Sequence, residues 1–305
     1  MEIHVAENLK TGKSAAWEEE LLLRVSTEEN PETNLASRPT QEKTGAETDW
    51  RMLYRLSGIR RNLLSWYDFS PASLAEGEKA ELLEMDGGYG ELTGLFTEKC
   101  RRVVSILPTK IRAEISAKRN TNPSLTLYAG SIKDLEIREL FDIVTLIHEP
   151  DTGEAGDEAS FSDKLRFAKE HLRPGGTLIT AVENRYGLSY MNGVRDMKNG
   201  RVFGSLLEKE EKTLDGMSKN SLKRQLTAAG FGSGRFYYPH PNHYLPMAIY
   251  SGRRLPREGE LGKMPVFKDG RFVIFNEEDA WDAVIRDQAF PDFANAFLVF
   301  AEKPL

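Results

Sequence analysis

The stretch LLEMDGGYGELT, residues 82–93, holds the pattern in this chain best suited to chemistry. An apolar run ends in an acid, Glu84, then passes through Asp86, Gly88 and Gly90 into a stretch of helical character. Glycines in such a turn let the backbone come close to a ligand, with no Cβ in the way. The following helix offers free N–H groups at its start. In open α/β sheets ligands bind beyond the carboxyl ends of the strands, which makes this turn a candidate holder of a small ligand. The same pattern also serves as a plain strand-to-helix connection. Further titratable side chains fall at predicted strand ends: His148, Glu183, and the pair His240 and His243 in PHPNHYLP. Histidine titrates near neutrality and suits proton transfer; a loop histidine is also a common local hydrogen bonder. The His240-x-x-His243 spacing lacks a nearby third ligand, so no metal site is expected. Cys100 is the single cysteine, which excludes an internal disulfide and a cysteine zinc site.

Positioning these residues requires a scaffold, and the rest of the pattern supplies one. Apolar runs at 80–85, 102–107, 125–129, 141–147 and 177–182 read as strands. Helical stretches at 88–99, 109–119 and 162–172 alternate with them, and the turn Arg173-Pro174-Gly175-Gly176 leads into the fifth strand. That alternation predicts parallel βαβ units with right-handed crossovers, hence a doubly wound, Rossmann-like α/β fold. The run FDIVTLI at 141–147 is apolar throughout, as a parallel strand covered on both faces should be. A helix is predicted over 218–229, with Ser218 as its cap and Gly230 as its stop. Runs at 235–238 and 294–302 read as a closing antiparallel pair, and 250–275 as loop and hairpin. Ahead of the sheet, Leu53, Leu56, Ile59, Leu63, Leu64 and Tyr67 recur at steps of three and four, which suits one or two amphipathic helices.

Composition sets the wider bounds. The 305-residue chain divides into a polar, largely flexible segment over 1–48 and an α/β domain over 49–305. Within the first, 17–25 could form a short strand or helix, while 27–48 has too few apolar residues to offset its ordering entropy. A net charge of −6 speaks against a dedicated nucleic-acid binder. No apolar run approaches the roughly 20 residues that span a bilayer, and the first residues lack the pattern of a secretory signal. The cytoplasm is therefore the expected location. Tyr237, Tyr238, Tyr244 and Tyr250, interleaved with prolines, could line a carbohydrate cleft or simply pack their loop onto the sheet.

The segment LLEMDGGYGELTGLF resembles the first motif of class I S-adenosylmethionine-dependent methyltransferases, where an E/D-x-G-x-G-x-G turn wraps the methionine end of the cofactor. RPGGTLITAVENRYG resembles the fifth-strand region of the same enzymes. From Trp50 onward, LSGIRRNLLSWYDF, FDIVTLI, AVENRYGLSYMNGVRD and FYYPHPNHYLPMAIYSGRRLP are similar to a bacterial subgroup associated with glycosyltransferases of surface-polysaccharide synthesis. The resemblance implies S-adenosylmethionine as cofactor and methyl transfer to a hydroxyl of a glycan or glycan precursor. It implies that Glu84, Asp86, Gly88 and Gly90 shape the methionine end, that Leu107 borders the ribose, and that Ser131 and Ile132 lie beside the adenine. His148 would sit under the transferred methyl, with His148, Glu183 and His240 as candidate bases.

The chain departs from the family pattern at ligand-facing positions. Asp86 stands at the first glycine of the turn, and Leu107 stands where the family has an acid that accepts from the ribose hydroxyls. A leucine cannot accept a hydrogen bond. The stretch His148-Glu149-Pro150-Asp151-Thr152 replaces a short apolar stretch with a Glu-Tyr pair. These departures keep a second class of function open: a catalytically silent, methyltransferase-like subunit that binds an active methyltransferase or a glycosyltransferase. A dinucleotide-dependent oxidoreductase also needs an acid about 20 residues after its glycines, and Leu107 withholds that acid too.

Overall fold

The computed structural model describes residues 3–6, 16–27, 54–71, 74–75, 77–147, 159–195, 201–207, 216–262 and 273–305. In chain order the strands are β1 (Ile3–Val5), β2 (Glu81–Met85), β3 (Arg102–Leu107), β4 (Leu125–Ala129), β5 (Phe141–Ile147), β6 (Leu172–Glu183), β7 (Arg235–His240), β8 (Ala248–Ser251) and β9 (Ala296–Glu302). The longer helices are α1 (Ala16–Thr27), α2 (Thr93–Lys99), α3 (Lys110–Arg119), α4 (Phe161–His171), α5 (Lys219–Ala228) and α6 (Glu277–Arg286), with a 3-10 helix at Gly58–Leu63. The nine strands of the described residues join one sheet in the order β1-β4-β3-β2-β5-β6-β9-β7-β8. Pairing is parallel from β1 through β6 and antiparallel from β6 through β9 to β8. The doubly wound, mostly parallel α/β fold with antiparallel C-terminal strands is thus the fold this sequence forms.

Alternation along the strands divides the core into two apolar layers. Leu83, Val104, Ile106, Val144 and Leu178 face one side, where Phe161 and Leu165 of α4, Leu222 and Leu226 of α5 and Trp281 of α6 cover them. Leu82, Val103, Leu107, Ile143 and Ile179 face the other, under Leu63, Leu64, Phe69, Leu95, Phe96 and Ala113. Covering both faces explains why residues 141–147 are buried throughout. Each fully buried Leu or Phe contributes roughly 1.5–3 kcal/mol relative to exposure. Helix α4 starts in a capping box of Ser160 and Asp163 and buries Phe161, Lys164, Leu165 and Ala168, one stripe at helical spacing. Lys164 is the odd member of that stripe.

Several boundaries differ from the sequence expectation. The helix expected from residue 88 begins at Thr93, because Gly88 and Gly90 hold positive φ, which a right-handed helix cannot contain. Strand β6 begins at Leu172, not Thr177, and the Arg173–Gly176 turn is absorbed as an irregularity in its pairing with β5. The antiparallel closure is a set of three strands, since β8 pairs with β7. Two pieces of the segment read as polar and flexible belong to the domain: β1 adds a parallel edge to β4, and α1 packs against α3. The linker read over 27–48 lies, after Thr27, outside the described residues, as does 263–272 of the expected loop and hairpin. Among the described residues no helix is long and apolar enough to cross a membrane.

Candidate functional site

Strand β2 lies where the strand order reverses: β3 and β4 follow on one side, β5 and β6 on the other. Ligands of doubly wound sheets bind at this point, beyond the carboxyl ends. The glycine turn leaves β2 there. Asp86, Gly88 and Gly90 all take left-handed backbone conformations, with φ of +52°, +57° and +81°. Asp86 therefore occupies a position whose backbone favours glycine, and aspartate is among the few residues that tolerate it. The Gly87 N–H donates to the Ile106 carbonyl at 3.0 Å and ties the turn to β3.

Beneath the turn, Glu84 is 4% exposed and accepts from the Thr93 hydroxyl at 2.6 Å. Burial pushes its carboxyl from 4.5 up to about 7, against the opposing pull of the Thr93 bond. A small cavity of about 10 Å3 opens beside it, bounded by Glu84, Asp86, Gly87, Glu91, Thr145 and Ile147. That is room for about one water molecule. The Thr145 hydroxyl on its wall is fully buried and has no hydrogen-bond partner among the described residues. Asp86 closes the rim by pairing with Lys164 Nζ at 2.5 Å.

A belt of buried charge braces the far side of the turn. Arg55 pairs with Glu91 at 2.8 Å, and both side chains are less than a twentieth exposed. Burial alone would raise the Glu91 carboxyl, yet the charges of Arg55, Arg119 and Arg60 together hold it below its ordinary value. The Tyr89 ring lies under the guanidinium groups of Arg55 and Arg112 at 4.5 and 4.8 Å. Its hydroxyl donates to Glu18 of α1 at 2.6 Å. Arg60 is lowered to about 10, mainly by burial and against the charge of Glu91. Its guanidinium donates to the His243 carbonyl at 3.0 Å, linking the glycine turn to the PHPNHYLP loop.

The other candidate residues lie along the same rim. Leu107 ends β3, fully buried in the apolar layer with Ala113 of α3. Ser131 and Ile132 follow β4, where Ser131 accepts from the Lys133 N–H and Ile132 joins the opposite apolar layer. Glu183 ends β6 and accepts from the Tyr190 hydroxyl. His240 ends β7, 2% exposed, edge-on to Trp281 at 5.5 Å. The His243 ring lies tilted against that of Tyr244, with centroids 3.9 Å apart. The carboxyl ends of β6 and β7 are laced together, since Asn184 N–H donates to the Asn295 carbonyl and Asn295 Nδ2 to the Pro241 carbonyl, both at 2.9 Å. His148 lies outside the described residues. Among those described, no group of three His, Cys, Asp or Glu side chains could hold a metal ion.

Sequence reasoning missed Arg55, Arg60, Glu91, Thr145 and Lys164, which complete the surroundings of the turn. One signal for Lys164 was available: a lysine on the apolar stripe of α4. It also assigned the close approach at Gly90 to a ligand, whereas α3 comes close there, with Asn120 Nδ2 donating to the Gly90 carbonyl at 3.1 Å.

No protein-family model and no curated protein matches the chain. Solved structures do align with it. A SAM-dependent methyltransferase from Archaeoglobus fulgidus is 13% identical, covers 83% of this chain and 98% of its own, and has a TM-score of 0.49. One from Thermotoga maritima is 15% identical over 83% of this chain and 94% of its own, with a TM-score of 0.46. An S-adenosylmethionine dependent methyltransferase from Mesorhizobium loti is 16% identical over 76% of this chain and 94% of its own, with a TM-score of 0.43.

Proposed function

We propose that this chain is an S-adenosylmethionine-dependent methyltransferase with its cofactor site at the rim between β2 and β5. The observation that carries this reading is the left-handed turn of Asp86, Gly88 and Gly90 at the point of strand reversal, directly above buried Glu84. The lining suits the ammonium of such a molecule. Asp86, Glu84 and the unpartnered Thr145 hydroxyl offer acceptors for an ammonium. When bound, the cofactor supplies an electrophilic methyl group. In this reading Gly88 would shape the turn around the methionine end, Leu107 would border the ribose, and Ser131 and Ile132 would flank the adenine, while Gly90 serves the packing of α3 on the turn. Glu183 and His240, at the ends of β6 and β7, are the bases for a hydroxyl acceptor of a glycan or glycan precursor. The Tyr190 bond orients Glu183, and positioning of this kind supplies most of the rate. Because the cavity takes about one water, binding requires the Asp86–Lys164 contact to give way.

Leu107 favours a second reading, a silent methyltransferase-like subunit that binds a partner enzyme. Its side chain sits in the apolar layer and offers the ribose hydroxyls no acceptor. Calorimetric titration with S-adenosylmethionine separates the two. The enzyme reading expects micromolar binding that weakens when Gly88→Leu fills the turn. Absence of heat at millimolar cofactor sinks it and leaves the silent subunit.

A further inference from the structure

We propose that β1 and α1 form one N-terminal strap that holds both the glycine turn and the loop after β4 in place, so that releasing α1 loosens the two stretches of rim together. Those stretches are the ones that the cofactor-site reading sets at the methionine and adenine ends. The strap's effect on binding rests on that reading; its effect on the two stretches does not.

Each end of the strap touches one stretch. Tyr89 of the turn is fully buried with Leu21 of α1, Leu56 and Ile115 of α3, in a small apolar cluster apart from the two layers that cover the sheet. The Trp17 ring stands edge-on to Tyr89 at 5.2 Å. Glu18, 7% exposed, accepts from the Tyr89 hydroxyl at 2.6 Å, and Arg112 Nε lies 3.6 Å from the same oxygen. At the other end, Ile3, His4 and Val5 run in parallel register with Leu127, Tyr128 and Ala129, and the Ala6 N–H donates to the Ala129 carbonyl at 2.9 Å. Ala6 packs so closely on the chain beyond β4 that a Cβ added to Gly130 would lie 2.7 Å from its own. Ser131 and Ile132 follow at once.

The two ends differ in what holds them. Strand β1 has three residues at the edge of the sheet, and His4 and Val5 are exposed. A pairing so short holds only marginally by itself. Helix α1 carries the buried side chains, Glu18 and Leu21, that anchor the strap. While α1 is seated, the tether keeps β1 at high effective concentration beside β4. Without the anchor the edge frays, and the support under Gly130 goes with it. Of the strap's side chains only Ile3, partly buried, reaches either large apolar layer, so the sheet keeps its core when the strap lets go.

The test is native-state hydrogen exchange on the full chain, read amide by amide. On the turn the reporters are the N–H groups of Gly87 and Gly90, which donate to the Ile106 and Gly87 carbonyls; beyond β4 the reporter is the Gly130 N–H, which donates to the Leu107 carbonyl. Glu18→Ala should speed exchange about 10- to 100-fold at all three, with the amides of β5 unchanged. Leu21→Ala should do so at least as strongly. Glutamine keeps an acceptor for the Tyr89 hydroxyl, and Glu18→Gln should restore most of the protection in both stretches. Acceleration confined to the turn, with Gly130 as slow as in wild type, overturns the strap. So does acceleration shared by β5, which is general unfolding. If Leu21→Ala fails to fold, the two Glu18 variants decide alone. Calorimetric titration of wild type and Glu18→Ala with S-adenosylmethionine separates the strap from the reading it deepens, and weaker binding by Glu18→Ala is expected. Joint loosening without binding by wild type keeps the strap and sinks the cofactor site. Binding by wild type with Gly130 unaffected does the reverse.

Discussion

Replacing Gly90 with alanine should destabilise the protein by more than its backbone conformation alone explains. Gly90 has φ of +81°, and an added Cβ would lie 2.6 Å from Ser116 Oγ, 2.7 Å from Asn120 Nδ2 and 3.0 Å from Ser116 Cα. The hydroxyl can rotate away, but the Cα is helix backbone, so α3 itself must shift. The left-handed conformation costs an alanine about 1–2 kcal/mol, and overpacking adds about 1–3 kcal/mol. The expected loss for Gly90→Ala is therefore about 2–5 kcal/mol. Gly77 is the internal control: its φ is +84°, and nothing lies within 4 Å of an added Cβ. Gly77→Ala should cost only the conformational part, about 1–2 kcal/mol. The entropy that alanine removes from the unfolded chain is common to both variants and cancels in the difference. Urea unfolding reads that difference as a shift of midpoint at constant slope. Equal midpoints for the two variants would refute the close packing of α3 on the turn.

Glu84 predicts a pH dependence. Its carboxyl is raised from 4.5 to about 7 by burial, so between those values the folded state keeps a proton that the unfolded state has lost. Stability should fall as pH rises through that window, by roughly 3 kcal/mol in all, and level off above it. Glu84→Gln should flatten the curve; a wild-type profile that is already flat from pH 4.5 to 7 contradicts the buried acid. Glu91→Gln removes the anion that Arg55 meets at 2.8 Å and that Arg119 and Arg60 also face. Taking the anion out of this buried pair should cost about 3–5 kcal/mol, visible as a fall in thermal midpoint. A fall no larger than that of an exposed pair, such as Arg286 with Glu258, would show that water reaches the belt.

The parts of the fold that local pattern controls are readable from sequence. Each of β2 to β5 is readable because a parallel strand covered on both faces must be a short apolar run between helices, and little else in the chain looks like that. Capping makes α5 readable at both ends, through Ser218 and Gly230. Strand β1 escapes because it is only three residues long, with its place set by pairing to β4. Helix α6 escapes although Asn276 caps it and its first turn is acidic, since it follows directly on a stretch, 250–275, whose composition reads as loop. The site divides in the same way. The glycine turn and the strand ends can be located because their residues are contiguous. The Asp86–Lys164 pair spans 78 positions and the Arg60–His243 bond 183, so neither leaves a trace in spacing. Gly90 shows why residue type alone misleads. A glycine marks a place where something comes too close for a Cβ, and the sequence cannot say whether that is a ligand or, as here, a helix of the same chain. Charged residues add the complementary signal. A lysine inside an apolar stripe or an arginine inside GIRRNLL needs a buried counter-charge somewhere in the fold. Lys164 and Arg60 are such residues: the Asp86 carboxylate meets the first, and the Glu91 carboxylate faces the second, both beside the turn.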